Sequence, residues 1–356
     1  MLFDPRPKEK REDMFDRDRE FEELLRGMEE YPITILIGIR RVGKSSILKV
    51  ALREYDGIGV YLDARRLYAA GGGTMSQSIL VEELTRILAG KGRMGFLAGV
   101  KLERISLGGI SIKPREATII DVFELLNGIG ERSGKVLLAF DEAQYLRFYG
   151  SRGGKDLLAG IAYAYDSLPN LGFVFTGSEV GLLHDFMGID DYSSPLFGRV
   201  YDEVEVKPFT RELSEEFLWR GFKEVGLSVS RGDIQRAVDE LDGIPGWLVE
   251  FGFNYWKKRN FQKALETTMA KARTMIKEEL LELEKRSPRY PLILKAVAMG
   301  LSRWGVIRDY VEAKGGPITN ARLASLLKNL EKMGWIRKEN GEYRIIDPVV
   351  ERILRG

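Results

Sequence analysis

The sequence predicts an α/β domain, a parallel sheet with helices on both faces, followed by a helical segment and a winged helix. Three observations predict it. Short apolar, β-branched runs alternate with helical patterns through the first 208 residues, as βαβ units require. Beyond Pro208 these runs give way to amphipathic helical periodicity. The last 68 residues read as three helices and then WIRKENGEYRI, where Asn340-Gly341 is a strong hairpin signal between β-prone arms. A chain of 356 residues is long enough for two or three domains, and the expected division is 1–208, 209–287 and 288–356.

Each strand is justified by its own run: ITILI (33–37), GIGVYLD (57–63), KVLLAFD (135–141), LGFVFTG (171–177) and YDEVEVKPF (201–209). Between the second and third, GKGRMGFLAG and ERISLGGISIKP predict a glycine-rich hairpin insertion at about 90–116. The helical segment begins with helices near Leu213–Leu218, Asp233–Val238 and Trp247–Trp256. A long charged helix then runs over 264–285 and stops before Ser287-Pro288, where proline lacks a donor and clashes with the preceding turn. Helices over 291–299, 306–313 and 320–333 with the final hairpin complete the winged helix. Trp219, Trp247 and Trp256 lie at helical spacing with other apolar residues and are expected in the core.

Gly38 to Ser45 reads GIRRVGKS, a match to the phosphate-loop pattern G-x-x-x-x-G-K-[ST], with a strand before it and a helix after it. The glycines let the backbone from Gly38 through Arg40, Arg41, Val42 and Gly43 to Ser46 curl around phosphates, and the helix dipole adds positive potential. Lys44 would reach the β- and γ-phosphates, and Ser45 would ligate magnesium. A second element ends in Asp141-Glu142, 97 residues beyond Lys44. Asp141 would hold magnesium through its water shell, and Glu142 would polarise the attacking water. At the end of the next strand, Thr176 and Ser178 would touch the γ-phosphate or that water, although Thr-Gly-Ser also suits an ordinary loop. Arg199 would stabilise charge on the γ-phosphoryl group in cis or in trans, or form a plain ion pair.

Composition narrows the partners. There is no cysteine and one histidine, His184, so a transition-metal centre or nucleophilic triad is not expected, and His184 reads as structural. Apolar residues make up 44% and charged residues 30%, with no long apolar run and a charged N-terminus, as in a soluble cytoplasmic protein of a hot environment. Residues 289–356 carry 13 Lys and Arg against 7 Asp and Glu, in a chain of net charge +2. In that basic module Arg322, Lys328, Lys332, Arg337, Lys338 and Arg344 would meet DNA phosphates, yet Glu331, Glu339 and Glu342 interrupt the patch. Docking to a protein partner is the other reading. No Asn-Lys-x-Asp guanine motif is present.

With GIRRVGKSSIL, FDEAQ, FTGSEVGLL, SPLFGR and LDGIPGWL in this order, the chain resembles archaeal ATPases of the AAA+-related STAND type over nearly its whole length. The resemblance implies a P-loop NTPase core, a helical lid and a winged helix gathered around ATP and Mg2+. It implies that Phe15–Glu20 is the N-terminal box near the adenine, with Arg17 at the box's arginine and Asp16 where many relatives have glycine. It implies that Gly243-Ile244-Pro245 is the lid turn that touches base or sugar through Pro245. No lid arginine follows that turn, so a second sensor is not expected. The activity implied is ATP hydrolysis, slow as in a molecular switch; a DNA-associated loader resembling origin-recognition ATPases is the alternative.

Overall fold

The computed structural model describes residues 1–88, 117–241 and 243–356, so the hairpin insertion expected at about 90–116 lies outside the described residues. Five strands, β1 (Ile33–Ile37), β2 (Ile58–Asp63), β3 (Val136–Asp141), β4 (Leu171–Gly177) and β5 (Asp202–Glu205), form one parallel sheet in the order β2-β3-β4-β1-β5. The runs read from sequence are these strands. Every residue of β1, β3 and β4 is buried, which explains why their sequences are continuously apolar rather than alternating.

Helices α1 (Asp18–Glu30) and α2 (Lys44–Glu54) cover one face of the sheet, packing Leu24, Ile47 and Val50 against Leu36 and Val174. After β2 come α3 (Ala64–Ala70) and α4 (Gln77–Leu88), and then α5 (Ile119–Ser133) and α6 (Lys155–Ser167); these cover the opposite face over Ile35, Phe140 and Phe173. Short α7 (Val180–Met187) follows β4. Register puts Ile37 beside Gly177 and Asp63 beside Asp141, so the chain leaves β1, β3 and β4 along one edge. That shared edge is where a parallel sheet binds ligands.

The lid comprises α8 (Arg211–Glu224), α9 (Arg231–Leu241), α10 (Pro245–Lys258) and α11 (Phe261–Arg286). The winged helix follows as α12 (Arg289–Ala298), α13 (Trp304–Gly315), α14 (Asn320–Lys332), β6 (Ile336–Glu339), β7 (Glu342–Ile345) and α15 (Pro348–Arg355). Asn340 and Gly341 both have positive φ, 51° and 82°, as the two-residue turn between twisted strands demands. Helix α15 was not expected. Asp347 caps it by accepting from the Val349 and Val350 amides, and Pro348 occupies its first position, a signal the sequence carried in plain view.

Lid and winged helix share one apolar core, in which Trp247, Phe251 and Ile276 join Leu294, Leu326 and Val350. Phe3 and Phe15 belong to this core too. The Phe3 ring lies so close to Gly221 and Gly252 that a Cβ on either would come within 2.3 Å of it. The N-terminal segment, counted with the first expected domain, therefore packs with the lid. Trp247 is buried, Trp256 is half-buried and Trp219 is 52% exposed, so the core expectation fails for Trp219. No helix among the described residues is long and apolar enough to cross a membrane.

Candidate active site

The loop between β1 and α2 owes its shape to two glycines with different constraints. Gly38 has φ 151°, and a Cβ there would lie 2.4 Å from the Val206 carbonyl oxygen. Gly43 has φ 106°, yet nothing lies within 4 Å of an added Cβ, so its side of the loop faces open space. Lys44 begins α2 and is buried; its Nζ donates to the carbonyls of Gly38 at 2.8 Å and Ile39 at 2.9 Å. Burial lowers its pKa to about 8 against the opposing pull of Glu142 and Asp141. The Ser45 hydroxyl has no hydrogen-bond partner among the described residues, whereas Ser46 Oγ accepts from the Lys8 amide at 3.0 Å.

Asp141 closes β3, and both its carboxylate oxygens accept a hydroxyl. Tyr61, from neighbouring β2, donates to Oδ2 at 2.7 Å, and Thr176 donates to Oδ1. Thr176 Oγ1 also accepts the Glu142 amide at 3.1 Å, so this one hydroxyl aligns the ends of β3 and β4. Glu142 sits at φ 54°, and its Oε2 accepts from Ser178 Oγ at 2.8 Å and Gln144 Nε2 at 2.6 Å. Burial alone would raise its pKa, but Lys44 and the Ser178 and Gln144 donors, with Arg65 adding to them, hold the carboxyl below the usual glutamate range. Asp141, Glu142, Thr176 and Ser178, all expected at the site from sequence, are brought together here, and two residues not expected there join them, Tyr61 and Gln144. The one sat mid-strand with no motif to mark it, and the other stood inside FDEAQ without an assigned task.

A cavity of about 360 Å³ runs from Lys44 and Glu142 to a far end walled by Arg17, Pro245, Trp247 and the strap around Pro5. That is enough room for a drug-sized ligand. Arg17 is buried, donates to the carbonyls of Val42 at 3.3 Å and Lys207 at 2.8 Å, and pairs with Glu20 at 2.8 Å. It is no surface ion pair: its bonds fasten the N-terminal box to the phosphate loop. Asp16 has φ 49°, a conformation that glycine adopts at no cost and aspartate tolerates.

The lid meets the loop directly. The Gly246 amide, in the first turn of α10, donates to the Arg41 carbonyl at 3.0 Å, and the Arg41 guanidinium lies 4.3 Å from the Trp247 ring centroid. Trp247 Nε1 in turn donates to Asp347 at 3.1 Å, so the winged helix closes the chain of contacts. Gly243 turns the backbone into α10 with φ 57° and approaches the Phe209 carbonyl too closely for a Cβ.

Arg199 is not brought to this site. It precedes β5, whose Asp202 aligns with Thr34 at the start of β1, and its guanidinium pairs with Asp166 at 2.5 Å near the end of α6. The loop leaves the other end of β1, roughly 15 Å away by strand rise. Within this chain the sheet's polarity sets Arg199 at the edge opposite the loop, where it makes the ion pair with Asp166. His184 pairs with Glu203 at 2.6 Å, and that hydrogen bond raises its pKa.

No group of three His, Cys, Asp or Glu among the described residues could hold a metal ion. A divalent cation at Ser45 and Asp141 would therefore take most of its oxygen ligands from phosphate and water, the habit of magnesium. Of the basic residues expected on the winged helix, Lys332 is taken by Asp185 on α7 at 2.6 and 2.7 Å, and Arg337 by Glu339 at 3.1 Å. Arg322, Lys328 and Arg344 are exposed and make no ion pair among the described residues.

Comparison with known proteins adds several findings. A family model described as an ATPase domain predominantly from Archaea matches residues 14–251, and one for the C-terminal winged helix-turn-helix domain of MCM proteins matches 284–346. The Walker-type ATPase PABY2304 of Pyrococcus abyssi is similar over 100% of both chains, with 50% identity and a TM-score of 0.91. The ORC2 protein of Aeropyrum pernix, solved in ADPNP–ADP complexes, shares the fold at 15% identity, covering 99% of this chain and 97% of its own, with a TM-score of 0.65. No curated protein matches.

Proposed function

The chain belongs to the family of ATPase domains found predominantly in Archaea, and on that premise we propose that it is an ATP-hydrolysing switch whose nucleotide state sets the lid and winged-helix arrangement. One observation carries this reading. The cavity that begins at Lys44 and Glu142 is finished by Pro245 and Trp247 of the lid, and Trp247 is hydrogen-bonded to Asp347 of the winged helix. A nucleotide there would touch core and lid directly and reach the winged helix through Trp247.

In this mechanism the amides of the phosphate loop and α2 receive the phosphates, and Lys44 exchanges its two carbonyl partners for phosphate oxygens. Ser45 and Asp141 would hold Mg2+, which supplies charge neutralisation on the β- and γ-phosphates. Glu142, ionised at neutral pH, orients and polarises the attacking water through the carboxylate oxygen that Ser178 and Gln144 leave unbonded. Thr176 keeps Asp141 and the Glu142 backbone in register. Arg17 and Pro245 close the far end, where the family resemblance implies adenine. The division into core, lid and winged helix at 208 and 287 suits this scheme, with Phe3 and Phe15 tying the N-terminus to the lid. A slow STAND-type turnover and a DNA or protein partner on the face of Arg322, Lys328 and Arg344 complete the proposal. Nothing favours the loader alternative over it. Replacing Glu142 with Gln tests the chemistry: hydrolysis should fall by about 10²–10³-fold while nucleotide binding persists. An unchanged rate would remove Glu142 from the mechanism.

A further inference from the structure

The lid sends a carboxylate toward the phosphate loop where a phosphate sensor would be a cation. Glu279, in the second half of α11, accepts from both loop arginines: Arg40 at 2.7 Å on Oε2 and Arg41 at 2.9 Å on Oε1. Its side chain is only 24% exposed, and Arg40 is held on its other side by Glu179 at 2.7 Å. Glu179 directly follows Ser178, the donor to Glu142. Arg41 lines the same cavity as Lys44 and Gly43. The two arginines thus stand between the phosphate cradle and the lid, both already paired with one acid that belongs to the lid.

A phosphate group and Glu279 are rivals for the same guanidinium charge. Arginine pairs with either through similar planar, charge-assisted hydrogen bonds. A triphosphate seated on Lys44 would carry its γ-phosphoryl group toward Glu142, which lines one cavity with Arg40 and Arg41, and would bring beside them negative charge that a diphosphate lacks. We propose that Glu279 is a positioning residue that sets how strongly the loop distinguishes triphosphate from diphosphate, by occupying Arg40 and Arg41 until a γ-phosphate competes for them. The inference rests on the nucleotide reading above and deepens it. Coupling free energies are reciprocal: if Glu279 weakens triphosphate binding, the triphosphate weakens the hold of Glu279 on the loop by the same factor. The event that frees α11 from the loop is then the arrival of the γ-phosphate itself.

The test is binding, not turnover. Dissociation constants for ADP and for a non-hydrolysable ATP analogue are measured on the full chain and on Glu279→Gln, which keeps size and removes charge. The triphosphate should bind about five- to tenfold more tightly to the variant, with ADP changed less than twofold. Glu279→Asp, which keeps the charge, should leave the ratio within about twofold of that of the unaltered chain; a ratio shifted as far as in Glu279→Gln would mark a merely structural residue and overturn the inference. An unchanged ratio in Glu279→Gln, with binding intact, would overturn this inference and leave the active-site reading standing. Failure of the unaltered chain to bind either nucleotide would overturn both.

Discussion

Thr176 shows how much one buried side chain organises here. Its hydroxyl donates to Asp141 and accepts from the Glu142 amide, so Thr176→Val removes both at once and leaves a buried carboxylate oxygen short of a partner. The expected result is a fall in kcat of about tenfold or more with little change in KM, measured by steady-state hydrolysis. Lys44 gives a pH prediction with a definite sign. Its ordinary value is 10.5 and burial brings it to about 8, so the free protein loses this proton between those two values while the unfolded chain keeps it. Unfolded chains then bind more protons, and stability from this group rises with pH across that window. Nucleotide binding runs the other way, because phosphates need the ammonium form: affinity for ATP should weaken by about tenfold per pH unit above 8, seen by titration at pH 8, 9 and 10. Affinity flat across that range would show that Lys44 is not the titrating partner. Glu142, held below its usual range, stays ionised through all of it.

At the scale of elements, the two glycines of the phosphate loop should fail differently. Gly38→Ala forces a methyl against the Val206 carbonyl and should lower the melting temperature markedly. Gly43→Ala meets no neighbouring atom, so beyond its backbone strain the loss should appear in nucleotide affinity. Equal losses of stability with equal affinities would contradict this division. Gly252→Ala should expel Phe3 from the lid core and loosen the strap over the far end of the cavity; limited proteolysis of the N-terminus reads it directly. The elements themselves were legible because buried parallel strands need continuous apolar runs and the loop motif needs a strand before it and a helix after it. The acid pair was legible for the same reason, as the polar end of such a run. Tyr61, Glu279 and the strap were not. Each acts across 80 residues or more of chain, Tyr61 on Asp141 and Glu279 on Arg40, and no local spacing records a contact of that kind. Arg199 lies away from the loop for the complementary reason: its position along the chain suggested a role in cis, and only the polarity of β5 puts it at the opposite edge, in the ion pair with Asp166 that was the other reading.

Across the whole molecule the winged helix is docked, not pendant. Lys332 grips Asp185, and Gly181 of α7 approaches the Lys332 Cα so closely that a Cβ would lie 2.6 Å from it. Gly181→Ala should push α14 off the core; a contact between folded parts would be lost without loss of either fold. If the exposed face of Arg322, Lys328 and Arg344 binds duplex DNA, that affinity should fall steeply with salt as counterions are released, and binding insensitive to salt would remove DNA as the partner. If the proposed switch holds, the link from cavity to winged helix through Arg41, Trp247 and Asp347 would make nucleotide state and domain arrangement one equilibrium. The chain has no cysteine, so a spin-label pair can be introduced at exposed positions without background, at Arg132 on α5 and Ser325 on α14. Pulsed dipolar spectroscopy of that pair in the Glu142→Gln background should give one distance distribution with ADP and a displaced one with ATP. Identical distributions in the two states, with both nucleotides bound, would contradict the switch.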